Sequence, residues 1–553
     1  MSESDPPPSP RLSKVASMAS LVTPETTPFL AAEPQLERRE IIDGKEDEAC
    51  AAGECTFKPG DPSNPLEWSP AFKRGIVALL AAAGFMVTFT CMSVVPVANM
   101  IAADLDGDNA SDDTFAPVLP VTIWEVGEAV GPLLIAPLSE MYGRYPLMNA
   151  ANILFISGAT LSALSPSMGV FIASRALTGM AVASNILGPA IIGDIFEPEH
   201  RGTALSLVGF SPLFGGTVGP VFSGVISQNF GWRAVLWVCV ALAGVCEIVF
   251  FTYFRETYGP VILRRTNAEL RAAKKHGGYG TVTAAEDHPE DVAVGNKQSG
   301  GMLASILRPA SVLFSSSVIA CLSLFGSSVF AHFYILSTTL PGILEERYGL
   351  SPAATGSAFL SNGVGSFISI ILCKTSLDRI YVKLRSSNDG VGLPEHRLPM
   401  AVVAAFLLPV ALIMYGWCAQ FILPLHLLLV AVVLIRMFIV MASVPLMVYV
   451  VDACGIYSAS AFTGVTVIRC LAGAFLPLGT AELIHDLGYG WGYTVLSVLS
   501  LVLAIVPLLL LSSTYIRVID RVLLSESHAR LRGVKVRVKG YEQVQAEFTQ
   551  IGS

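Results

Sequence analysis

Residues Leu119 to Arg144 read LPVTIWEVGEAVGPLLIAPLSEMYGR. Apart from Glu125 and Glu128, the first part of this run carries no charge, and it has the length that a helix needs to cross a bilayer, about 20 residues. It stops at Ser139–Glu140 and closes on Gly143–Arg144. A membrane span is therefore expected over roughly 114–138. Its two carboxyls stand three residues apart, on one helix face. An ionised group at mid-membrane costs about 2.5–3.5 kcal/mol on insertion scales, so these two must face a wet cavity or a partner. At about 1.5 Å per residue, Glu128 lies about 15 Å in from the span's cytoplasmic end near 138, near the midplane.

The same apolar pattern recurs on both sides. Further spans are expected near 74–99, 146–166, 169–192, 202–228 and 232–254. After a polar stretch they resume near 311–340, 352–374, 399–419, 425–451, 458–484 and 491–512. The chain has 553 residues, 53% of them hydrophobic and only 14% charged, with mean hydropathy +0.60. Soluble domains carry about 25% charged residues, so the excess apolar surface is read as facing lipid. A net charge of -8 argues against a nucleic-acid partner. Of ten cysteines, most lie in apolar runs and are read as reduced and structural. The sequence holds no CxxC pair or His/Cys spacing that would suggest a metal, and no cofactor is expected.

Lys and Arg set the orientation. The loop after the second span carries Arg144 and the loop after the fourth carries Arg201. The central loop carries Arg264, Arg265, Arg271, Lys274 and Lys275, and the loop after the eighth span Lys374, Arg379, Lys383, Arg385 and Arg397. The tail after the last span is also basic. The alternate loops are cation-poor, and the first is acidic, with Asp104, Asp106, Asp108, Asp112 and Asp113. Both tails are thus expected in the cytoplasm. The loop after the tenth span, which lacks Lys and Arg, is the exception.

This divides the chain into a disordered cytoplasmic tail (1–69), a six-helix half (70–255), a cytoplasmic loop (256–310), a second six-helix half (311–513) and a cytoplasmic tail (514–553). The first 69 residues are rich in Pro, Ser, Thr and Glu and have no apolar core, which excludes a signal peptide there. ETTPFL, Glu25 to Leu30, is a weak match to an acidic sorting signal. Two halves joined by a long loop are the layout of transporters built from repeats. One degenerate echo supports a repeat: Asp378–Arg379 follows the eighth span as Glu140 to Arg144 follow the second.

APLSEMYGR, Ala136 to Arg144, resembles the Gly-x-x-x-Asp-x-x-Gly-Arg loop of the major facilitator superfamily, with Ala136 in place of the first glycine. Glu140, Gly143 and Arg144 match in role. The resemblance implies a gating loop, in which Gly143 turns the chain tightly and Arg144 binds carbonyls or a carboxylate. SRALTG, Ser174 to Gly179, and GDIFEPEHRG, which contains Asp194 and Arg201, resemble the same superfamily. There the arginine at the position of Arg175 is linked to proton movement. GGTVGPVFSG, Gly215 to Gly224, is similar to the antiporter signature of drug:proton antiporters, with Ser223 where a second glycine is common. Gly216, Gly219 and Gly224 offer small faces for close helix contact, Pro220 bends the helix, and Gly215 belongs to the same antiporter-like helix. DPSNPLEW (61–68), WEVGEAVGP (124–132), RETYGPVILRR (255–265), YILSTTLPGILEERYGLS (334–351), PEHRLP (394–399) and YVVDACGIYSASA (449–461) resemble fungal twelve-span drug:proton antiporters.

These resemblances imply an all-α integral membrane protein of twelve helices in two six-helix halves. The implied activity is export of a small organic molecule in exchange for protons. Glu125, Glu128 and Arg175 are the proton-coupling candidates, against a static network that only positions helices. In this fold spans one, four, seven and ten line the cavity, which makes His332, Tyr334, Thr338 and Tyr449 candidates for its lining. Arg469, in RCLAGAFLPL, either anchors substrate or locks helices. Glu247 and Arg436 are similarly deep. Exposed arginines would favour an anionic or neutral polar substrate. A proton-coupled importer or exporter of an organic acid or polyamine, and a non-transporting sensor on the same fold, remain as alternatives. The sequence carries no GxxxxGK[ST] loop for ATP, and no catalytic cluster suggests an enzyme. The expected partners are substrate, protons and lipid, with the chain acting as a monomer in the plasma membrane or, alternatively, the vacuolar membrane.

Overall fold

The computed structural model describes residues 57, 61, 63–106, 115–197, 200–266, 317–386, 392–454 and 458–528. Most of the tail and central-loop expectations, including ETTPFL and the acidic residues Asp108, Asp112 and Asp113, lie outside the described residues. Residues 63–69 of the expected tail are described and hold a 3-10 turn at Pro65–Glu67.

The first six helices are α1 (Pro70–Met92, continued by Ala98–Asp106), α2 (Leu119–Tyr142), α3 (Arg144–Ala163), α4 (Met168–Met180 and Ser184–Ile195), α5 (Arg201–Phe230) and α6 (Trp232–Tyr253). The second six are α7 (Ser317–Gly342), α8 (Pro352–Ala358 and Leu360–Ser386), α9 (Pro399–Gln420), α10 (Leu425–Cys454) and α11 with α12, which run together over Ser458–His528. That last stretch is a double helix only because of Gly488, whose φ of 74° and ψ of 171° reverse the chain. Among the described residues, ten segments are long and apolar enough to cross a membrane. The twelve expected helices are recovered by splitting the last segment at Gly488 and adding α3. The latter carries Arg144, Asn149 and Asn152 and is too polar to count by composition alone.

Local chemistry sets the helix ends. Ser69 and Ser351 cap α1 and α8 through bonds from Phe72 N and Ala354 N, each at 3.4 Å, with proline in the next position. Ser93 and Pro96 interrupt α1 before the expected boundary at 99, because proline cannot donate the helix bond. The last helix runs on to His528, past the expected end at 512.

Packing follows the small residues. The α2–α4 crossing is built from Gly127, Gly131 and Gly179, whose Cα atoms press on the backbone of the other helix. α5 packs along α1, and α2 packs against α11. Gly224 of α5 meets Gly356 of α8: a methyl on either would lie 3.1 Å from the other's Cα. Ala353 N donates to Gln228 Oε1 at 3.2 Å beside this crossing. The two sets of six helices are therefore tied together at the end away from Arg144, and at mid-depth through α2, α7 and α11.

Candidate transport site

α2 brings Glu125 and Glu128 to the middle of the helix array with different surroundings. Glu125 is 1% exposed. Its Oε1 accepts a 2.5 Å bond from the Tyr334 hydroxyl of α7, in the other half. Its Oε2 has no hydrogen-bond partner and faces the Gly473 backbone of α11, where a methyl would sit 3.4 Å away. The Tyr334 hydroxyl also lies 3.8 Å from the Cys91 thiol of α1. Arg469 of α11 lies close enough to act electrostatically on both glutamates. Four helices thus meet on one carboxyl. Glu128 is held by neutral donors instead, from Trp124 Nε1 and Asn185 Nδ2, each at 3.1 Å. Asn185 is exposed although it lies within α4, which marks open space beside Glu128.

The second half contributes cations and rings. The Arg469 guanidinium lies 4.4 Å from the Phe330 ring centroid, and that of Arg436 lies 4.1 Å from Phe333. Phe330, Phe333 and Tyr334 form one aromatic cluster on α7, with centroids 5.3–6.5 Å apart.

The other candidates are placed elsewhere. Arg175 is buried, donating to Pro120 O at 3.2 Å and Cys91 O at 3.1 Å, with its guanidinium 4.5 Å from the Trp124 ring. It braces α4 against α1 and α2 and is not paired with a carboxylate among the described residues. His332 uses both nitrogens inside the second half: Nδ1 to Ser328 O at 2.6 Å and Nε2 to Ser500 Oγ of α12 at 2.9 Å. Since Nδ1–H must donate to the carbonyl, Nε2 accepts from the serine. His332 faces this packing and not a cavity. Thr338 bonds back to Tyr334 O at 2.9 Å within α7, and Tyr449 belongs to the buried apolar core. Glu247 accepts from Asn152 Nδ2 at 2.7 Å, joining α6 to α3.

The expected gating loop is a buried knot. Gly143 turns the chain with φ 102°, a backbone conformation that strains any side chain. Arg144 pairs with Asp194 at the end of α4 at 3.4 Å, donates to Ser139 Oγ and stacks 4.7 Å from Tyr258. Thr257 Oγ1 donates to the same Asp194 oxygen at 3.2 Å. Burial pushes the Tyr258 phenol above its ordinary value. Arg201 donates to Phe196 O and Gly193 O at 2.8 Å each, satisfying the carbonyl end of α4. Glu140 is exposed and makes no ion pair among the described residues. The acid that serves the loop is Glu256, beyond α6, which accepts from Arg144 N at 2.8 Å and Tyr145 N at 3.2 Å.

The second half repeats the arrangement with a different arginine. Arg397, just before α9, bonds Asp378 at 2.8 Å and Asp452 at the end of α10 at 3.3 Å, with the Tyr381 ring 4.1 Å away. The expected echo lay at Asp378–Arg379. The cation that occupies it is Arg397, related to Asp452 as Arg144 is to Asp194.

Of the antiporter-like residues, Gly215 and Gly219 fit α5 to α1: a methyl at Gly219 would lie 2.8 Å from Phe89 O. Gly224, with the Pro220 carbonyl, forms the crossing to α8 described above.

A model of the Major Facilitator Superfamily matches residues 77–477. The chain belongs to this superfamily. It is similar to the efflux pump radE of Floropilus chiversii, 34% identical over 454 residues that cover 82% of each chain. It is also similar to the MFS transporter cpaT of Aspergillus oryzae, 32% identical over 81% of this chain and 88% of that one. The D-xylose-proton symporter has the same fold, with a TM-score of 0.61 at 14% identity over 79% of this chain and 97% of its own. Superfamily membership and the apolar helices make this a multi-pass membrane protein of the transporter class.

Sequence reading singled out Glu125, Tyr334 and Arg469 separately, and the structure brings them to one junction. It passed over Asn185, Phe330, Phe333 and Glu256, and it assigned Arg436 no role. The one available signal for the phenylalanines was their i, i+3 spacing toward Tyr334.

Proposed function

We propose that this chain exports a small amphipathic organic molecule by alternating access, in exchange for protons carried by Glu125. The observation that carries the proposal is the Glu125 junction. One carboxyl oxygen accepts from Tyr334 of the opposite half, and the other is buried without a partner. A proton on that free oxygen removes the charge to which Arg469 responds, and it alters the polar contact that Tyr334 makes between α7 and α2. Protonation therefore biases the equilibrium between facing states, which is what coupling requires. Glu128 is bonded within the first half, by Trp124 and Asn185, and is the less suited carrier.

The Arg144 end is the cytoplasmic end in this reading, following the loop cations. The Gly224–Gly356 crossing then closes the opposite, outer face, as an exporter awaiting substrate from the cytoplasm requires. Relatives named as an efflux pump and transporters support export. The chain acts as a monomer in the plasma membrane.

The test is transport in sealed inside-out vesicles from transporter-depleted yeast, with a panel of drugs and fungal metabolites and an imposed proton gradient. Uptake of a compound against the proton flow supports the proposal. Movement together with protons would make the chain an importer, and no gradient-dependent movement of any compound would remove the exporter reading.

A further inference from the structure

We infer that the exported molecule is an aromatic organic anion, and that Arg436 is the residue that binds its acidic group. The inference rests on the transport reading above and names its substrate class.

Arg436 sits within α10. Its Nε donates to Ser366 Oγ of α8 at 2.9 Å, and that hydroxyl is itself fixed by donating to Asn362 O at 2.9 Å. Its guanidinium lies 4.1 Å from the Phe333 ring centroid. Nothing further engages its terminal amino groups among the described residues, and the residue is half-buried. The fork is held at its base, with its two amino groups unengaged. No carboxylate pairs with it among the described residues, so it differs from Arg144 and Arg397, which each hold an aspartate. A guanidinium kept in the membrane without a counter-charge is costly, and a planar two-pronged donor matches a carboxylate oxygen pair.

Arg469 repeats the pattern one helix turn away. It stacks on Phe330, three residues from Phe333 on the same face of α7. Its electrostatic partners are Glu125 and Glu128. Arg469 is thus balanced by the proton-carrying wall. Arg175 of the first half also lacks a carboxylate but spends its donors on two carbonyls, whereas Arg436 has one hydroxyl. The second-half wall presents aromatic faces flanked by that free fork, which suits a ring system bearing one acidic group.

The charge count gives a further consequence. A cycle that carries a monoanion out and one proton in moves two charges in the direction that an inside-negative potential favours. A neutral substrate exchanged for one proton moves one.

The experiment uses two dyes with one xanthene core and opposite charge, fluorescein and rhodamine 6G. Binding to the purified full-length protein is followed by fluorescence anisotropy, and transport is followed in proteoliposomes with a proton gradient. Wild type should bind and move fluorescein in preference to rhodamine 6G. Arg436→Gln should weaken fluorescein binding about tenfold or more, as loss of a charge-assisted bond implies. It should not weaken rhodamine 6G binding, and Arg436→Lys should fall between. Preference for rhodamine 6G, undiminished fluorescein binding in a folded Arg436→Gln, or no fluorescein binding by folded wild type would each overturn the inference. Arg436-dependent fluorescein binding without gradient-driven movement would uphold the inference while removing the exporter reading, so the two fail separately.

Discussion

Replacing Glu256 by alanine should cost this transporter a measurable share of its stability, although the residue is half-buried and lies outside every span. Its Oε1 accepts from the backbone N–H of Arg144 at 2.8 Å, Thr257 at 3.1 Å and Tyr258 at 3.0 Å, and its Oε2 from Tyr145 N at 3.2 Å. Two of these groups open α3, where helix N–H groups have no partner of their own. Losing an N-terminal cap costs about 0.5–2 kcal/mol. Orphaning the remaining donors, with water replacing some of the bonds, brings the total to about 2–4 kcal/mol. At roughly 2–4 °C per kcal/mol for a large domain, Tm should fall by about 4–16 °C. Glu256→Gln keeps one acceptor oxygen and should fall by about half as much. The assay is thermal unfolding in detergent with a thiol-reactive fluorogenic dye. Cys91, Cys239, Cys418 and Cys470 are buried and report unfolding, whereas exposed Cys321 sets the baseline. A second variant checks the cause. Gly143→Ala would press a methyl 2.7 Å from the Glu256 carboxyl carbon, so its loss should overlap that of Glu256→Ala and not add to it. Ordinary surface substitutions stay within about 0.5 kcal/mol. A Tm change of that size for Glu256→Ala, or full additivity with Gly143→Ala, would refute the reasoning.

Two further outcomes follow from the packing and from one histidine. Gly356→Val should cut the transport rate about tenfold or more while leaving the protein folded, because its branches would force α8 off the Gly224 backbone of α5, 3.1 Å away. An unchanged rate would show that this crossing does not close the outer face. His396 is 6% exposed, and burial holds its imidazole below its ordinary 6.5. With the folded value depressed, its contribution to stability is present above pH 6.5 and is lost as the pH falls below it. Tm should therefore drop on acidification, and less so in His396→Gln. Equal slopes for both proteins would remove this assignment.

The helices were legible because spanning segments must be apolar for about 20 residues, and that signal survives in a single sequence. Their interruptions were less so. The break after Met92 and the fusion across Gly488 depend on one or two residues inside runs that read as continuous. The site was legible where chemistry conflicts with environment, as for Glu125 and Arg469, whose charges stand out in apolar runs. It was illegible where identity depends on which face points inward. Phe330 and Phe333 read as ordinary apolar residues, and His332 read as a cavity residue until its two nitrogens proved to be bonded within the second half. Glu256 and Arg397 act across 112 and 55 residues of chain, on Arg144 and Asp452, and no local pattern carries that information. Adjacency in sequence points the echo to Arg379, whereas the fold uses Arg397.

The central claim is that Glu125 carries the coupled proton. It is tested most directly by comparing wild type with Glu125→Gln in proteoliposomes, using a compound that the wild type moves. Substrate-for-substrate exchange and gradient-driven accumulation are measured side by side. Glutamine keeps an oxygen for the Tyr334 bond but cannot lose a proton. The account predicts that Glu125→Gln retains exchange and loses accumulation, and that Glu128→Gln retains accumulation. Undiminished accumulation in Glu125→Gln would contradict it.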